Sequence, residues 1–193
     1  MMGKVSVLFC SLLFMSSVLY GIDSCHHAEQ QRSGLINKII GTDLDQAILE
    51  KFQEKTNCSW DDVKVLEKEL KRFFVIASVY DNVRSSMFSA NVDELWHTFI
   101  LFTKKYEHYC KEVIGKFIHH TPYTKKEKEA RTPEQKKEAY KNFEEQYESI
   151  FYEKPDKNIW SPRRPHDGQH ECSSDCEKCC GDDSNCDSCG GCD

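Results

Sequence analysis

Two groups of side chains in this 193-residue chain have the types and spacings to do chemistry. The first is C-terminal: Cys172-x3-Cys176-x2-Cys179-Cys180-x5-Cys186-x2-Cys189-x2-Cys192, with His166 and His170 just upstream. A two-residue gap brings two thiolates within reach of one ion, so Cys176, Cys179, Cys186 and Cys189 form a four-sulfur set for a transition metal, zinc first. Soft sulfur ligands also suit monovalent copper and iron–sulfur clusters. The acidic neighbours Asp175, Glu177, Asp182, Asp183 and Asp187 favour cations over nucleic acid. Two other outcomes stay open: closure of the same thiols into a metal-free disulfide knot, and a low-complexity tail.

The second group is Asp93, His97, His119 and His120. Residues 93 and 97 are one helical turn apart, and a carboxylate beside an imidazole serves metal sites and acid–base catalysis alike. Against this stands a plain inter-helix hydrogen bond from His97, with Asp93 as its partner or as a dipole charge. A straight helix would carry His97 about 27 Å from Gly115, and four extended residues return about 14 Å at most. On that geometry His119 falls short of His97 unless the helix breaks or another chain contributes. Adjacent residues in extended chain point opposite ways, so a chelate shared by His119 and His120 is the lesser reading. The chain contains no two-histidine zinc-protease motif, phosphate loop or serine nucleophile elbow.

The element that must position the second group runs from Val92 to Gly115. Apolar residues at 92, 95, 96, 99, 102, 106, 109, 110 and 113 follow one helix face. Asn91 and Glu94 have capping-box spacing, and Gly115 ends a rod of roughly 34 Å. Trp96, Phe99, Phe102 and Tyr106 read as core. Upstream, Thr42 to Asp45 resembles a helix start, with Leu44, Ile48, Leu49 and Phe52 on one side. Ser59 and Asp62 open a further helix with Val63, Leu66, Leu70, Phe73, Phe74 and Ala77. Thr132, Pro133 and Gln135 open the last one, with Ala139, Tyr140, Phe143, Tyr147 and Ile150 inward. No stretch alternates with period two.

The strings V-D-E-L-W-H and G-K-F-I-H-H-T-P, with Tyr-x-x-x-Cys between them, resemble the bacterial branch of the glycine-rich domain-containing protein-like family. The resemblance covers roughly residues 59 to 122, with a weaker echo from Tyr147 to Trp160 where Trp160-Ser161-Pro162 stands for a Trp-Pro-like pair. It implies a helical part followed by a glycine- and cysteine-rich tail as an appendage, and little about activity.

The expected architecture is all-α: a small bundle of four to five helices with an irregular cysteine-rich tail. The expected divisions are 1–21 as signal peptide or anchor, 22–40 as linker, 41–155 as helical domain, 156–171 as linker and 172–193 as tail. Lys4 followed by an apolar run through Tyr20 reads as an export signal. A retained anchor, lipid attachment at Cys25 and a buried helix are the alternatives, and membrane contact is expected only through this segment. A net charge of −6, with seven basic and seven acidic residues between Thr121 and Ser149, gives no footprint for nucleic acid. The leading expectation is an exported, non-enzymatic module that binds a protein partner and carries a zinc-binding tail. The alternative is a metal-dependent enzyme using Asp93 and His97, with His119 or His120.

Overall fold

The computed structural model describes residue 27 and residues 29–80 and 87–161. The described residues are helical and contain no strand, so the fold is all-α. In chain order the helices are α1 (29–41), α2 (Gln46–Thr56), α3 (Trp60–Val79), α4 (Ala90–Leu101) and α5 (Thr103–Tyr109). A π-helical turn (Cys110–Ile114), α6 (Lys125–Ala130) and α7 (Pro133–Phe151) follow. Residues 1–21 and the tail, with Cys176, Cys179, Cys186 and Cys189, lie outside the described residues. No helix among the described residues is long and apolar enough to cross a membrane.

Local chemistry sets the helix ends. Asp45, Ser59, Thr124 and Thr132 each accept a backbone N–H of the following first turn, and the last two complete capping boxes with Glu127 and Gln135. Pro133 opens α7, where its missing N–H has no partner to lose. Asn57 ends α2 in the left-handed conformation, which Asn tolerates better than most residues, and its N–H reaches Gln53 O at 2.7 Å. The cap of α4 is Ser89, whose hydroxyl accepts Val92 N–H at 3.3 Å, and not the expected Asn91–Glu94 box. Glu94 is thereby free to use its carboxylate elsewhere.

α3 is the centre of the packing, touching α2, α4, α7 and the π turn. It buries Val63, Leu66, Leu70, Phe73, Phe74, Val75 and Ile76. Phe73 and Phe74 both lie against Trp96, with ring centroids 5.2 and 5.7 Å away. α1, within the segment expected as linker, buries Ile39 completely and packs Leu35, Ile36 and Ile40 on the core. At the other end the packing extends to Trp160, which is fully buried against Phe143 and Phe73. Its indole N–H donates to Glu69 Oε2 at 2.8 Å, and the Tyr147 hydroxyl donates to the same oxygen at 2.9 Å. Arg72 completes this buried group, 3.3 Å from Glu69 and bonded to Tyr147 and Glu153. A buried carboxylate is tolerable only when so paired.

The expected rod from 92 to 114 is not continuous. α4 stops at Leu101, and Phe102 (φ −82°, ψ 58°) leaves the helical region before α5 begins. α5 then passes into the π turn, where Gly115 N–H bonds Cys110 O at 2.8 Å across five residues. Gly115 closes that turn at φ 86°, a conformation that favours glycine. The chain from there to Pro122 returns along the molecule as a strap. Two extra turns of direction in place of one rod remove the straight-helix premise of the distance argument and let the strap come back to His97.

Candidate metal centre

The strap is fastened by polar contacts to buried groups. Trp96 Nε1–H donates to Tyr106 Oη at 3.1 Å, and the Tyr106 hydroxyl donates in turn to Ile118 O. Lys116 Nζ donates to Ser78 O at 3.0 Å, and Ile118 is buried. Burial pushes the Tyr106 hydroxyl well above its ordinary range, which keeps it a donor at every ordinary pH. Cys110 lies beside it as a free, buried thiol whose pKa burial also raises, so it is a poor thiolate ligand.

These contacts deliver His120 to α4. Its ring meets the edge of Trp96 at 4.3 Å and the ring of His97 at 4.5 Å. Its Nε2 lies 3.0 Å from Asp93 Oδ1. His97, one turn along α4, has Nε2 3.9 Å from the same oxygen. One ligand atom each from Asp93, His97 and His120 falls within 4.8 Å of the others. A tetrahedral zinc ion with bonds of roughly 2.0–2.1 Å needs ligand atoms about 3.4 Å apart. The two distances to Asp93 bracket that value. The side chains of Asp93 and His120 are 15% and 13% exposed, and that of His97 is 44% exposed. Two of the three side chains are thus held against the core while the third opens to solvent.

The donor set, two imidazoles and one carboxylate, is borderline in softness and suits zinc or ferrous iron better than calcium or magnesium. Asp93 sits in the first turn of α4, at the end of the helix whose dipole attracts negative charge. Where Asp93 accepts the His120 Nε2–H, an ion would replace that proton, the exchange that metal binding to histidine requires.

His119 is not part of the group. It is exposed and rests on Phe117, ring centroids 4.8 Å apart, on the opposite side of the strap from His120. Of the four residues expected here, Asp93, His97 and His120 converge and His119 does not. Glu94 was legible only as a cap. Its Oε2 lies 3.9 Å from His97 Nδ1, and its Oε1 pairs with Lys55 of α2. The signal that could have found it is its i, i+3 position relative to His97.

Among known families, the model described as UCP032817-like aligns with residues 31–159, about two thirds of the chain. That span covers α2 to α7, all but the first two residues of α1, and all three converging residues. It overturns the resemblance to the glycine-rich domain-containing protein-like family. The strings behind that resemblance are one turn of an amphipathic helix and the strap that packs on it, patterns that helix packing alone can impose. No curated protein matches the chain, and no solved structure does.

Proposed function

The chain belongs to the UCP032817-like family, an uncharacterised one, and from its own geometry we propose that it is a metal-binding protein whose helical domain holds one divalent transition ion, zinc first, through Asp93, His97 and His120. The observation that carries this reading is the convergence of three ligand atoms from α4 and the strap within 4.8 Å. Three protein ligands leave a coordination position toward solvent on the His97 side, as in zinc sites that bind a further ligand. In this reading Asp93 supplies charge neutralisation, His120 the fixed nitrogen and His97 the adjustable one.

The test is ligand-linked stability. An ion that binds only the folded chain stabilises it by about 2.7 kcal/mol at a concentration 100 times its Kd. Zinc should therefore raise the melting temperature of the full chain. His120→Ala and Asp93→Asn should lose the part of the shift due to this centre. Identical zinc shifts in all three proteins would refute it.

The wider reading is an exported module whose tail thiolates Cys176, Cys179, Cys186 and Cys189 take a transition metal of their own. Cys58, which is disulfide-bonded, supports the export half of this reading, because disulfides persist in oxidising compartments; the same compartment favours closing the tail thiols into the metal-free knot. The second reading is a metal-dependent hydrolase, favoured by the solvent-facing position beside His97. Zinc-dependent hydrolysis lost in His120→Ala, with unchanged folding, would select it over the binding module.

A further inference from the structure

We infer that Glu94 is the positioning carboxylate of this centre: it holds the His97 ring with the proton on Nδ1 and so turns the Nε2 lone pair toward Asp93 and His120. The inference rests on the metal reading above and adds to it a residue that sets which nitrogen binds. His97 stands between two carboxylates, with Nε2 3.9 Å from Asp93 Oδ1 and Nδ1 3.9 Å from Glu94 Oε2. A neutral imidazole has one donor and one acceptor nitrogen, and the partner of one fixes the role of the other. Asp93 already accepts from His120, which leaves Glu94 as the acceptor facing the remaining side of the ring. Metal-bound histidines commonly donate their second N–H to such a carboxylate. The separation exceeds a normal hydrogen bond by about 1 Å, a gap that rotation of the exposed His97 ring can close.

Glu94 is built to stay in that outer place. Its side chain is 19% exposed, and its other oxygen is paired with Lys55, which reaches across from α2. The ammonium draws one of the carboxylate oxygens away from the three converging ligand atoms. α2 and α4 pack directly on each other, so the pair ties the centre to a second helix.

The experiment uses the full chain with isotope-labelled histidine, metal-free and then titrated with cobalt(II). Heteronuclear NMR should find His97 protonated at Nδ1 in the unsubstituted protein. Glu94→Gln should give a mixture of tautomers and weaken cobalt binding at this centre about 10- to 100-fold, while cooperative unfolding is unchanged. Lys55→Met, on the half-exposed face of α2, should act in the same direction to a smaller extent, because it releases Glu94 without touching the ring. An Nε2-protonated His97 in the unsubstituted protein would overturn the inference, as would a tautomer and a cobalt affinity indifferent to Glu94→Gln. If the tautomer follows Glu94 but the centre takes up no cobalt, the metal reading alone falls and Glu94's positioning of the ring stands.

Discussion

Trp96 does two jobs, since it fills the core between Phe73 and Phe74 and gives His120 a wall to rest on. It is 5% exposed, and Trp96→Ala should destabilise the protein by about 3–5 kcal/mol in denaturant unfolding. A loss under about 1 kcal/mol would show that Trp96 is not core. Tyr106→Phe is the finer probe. The hydroxyl joins Trp96 Nε1–H to Ile118 O, so its removal leaves two buried groups short of a partner and should cost about 1–3 kcal/mol. A neutral outcome in the same unfolding measurement would mean that the strap is held by apolar contact alone. Trp96, Tyr106 and their neighbours were legible as core because they lie on one helix face. Their polar duties were not, since a period of three and four residues says which side chains go inward and nothing about what their N–H and O–H groups meet there. Glu69 was illegible for the same reason: two of the partners that let its carboxylate be buried, Tyr147 and Trp160, lie 78 and 91 positions away.

At the scale of elements, the decisive feature is the broken run from α4 through α5 to the π turn. Leu101 and Phe102 mark the first break with neither proline nor glycine, and Leu101 is 78% exposed where a continuous stripe would have no use for it. A sequence reading that relies on glycine, proline and periodicity therefore draws one rod, which gives no reason for the segment after Gly115 to come back to His97. Gly115, by contrast, was legible as a terminator. A Cβ there would meet no atom within 4 Å, so Gly115→Ala tests the backbone alone. At φ 86° the substitution should cost about 1–2 kcal/mol, read from thermal or denaturant unfolding. An unchanged or higher stability would mean that the strap does not depend on this left-handed turn. Ser59, Thr132 and Gln135 were read correctly as caps because capping is a local hydrogen bond set by neighbours in sequence. The shift of the α4 cap from Asn91 to Ser89 reflects a competition between nearby polar residues that sequence spacing does not resolve.

For the molecule as a whole, the all-α class followed from four amphipathic stripes, while the packing order, with α3 at the centre, depended on breaks and on a C-terminal Trp that periodicity does not report. The extent of the core carries a pH consequence. Tyr106, Tyr109 and Tyr147 all have pKa values raised above 10.0, with burial the leading cause. A group whose folded pKa is raised contributes stability that is fully present below its unfolded value and is lost as pH rises through the folded one. Stability should therefore fall as pH is taken above about 10, with these three phenols ionising only as the fold opens; their ionisation in the intact protein would contradict this burial. At the acid end Asp43, paired with Lys71, has its pKa lowered below 3.8 by that hydrogen bond, so its contribution is lost as pH falls through its folded value. The ion at Asp93, His97 and His120 is read most cleanly from the cobalt(II) spectrum of the full chain with Cys176, Cys179, Cys186 and Cys189 replaced by serine. A centre at these three residues should take up a single ion with no sulfur-to-metal charge-transfer band, and His120→Ala should abolish that uptake. No uptake by this variant, or uptake that survives His120→Ala, would contradict such a centre.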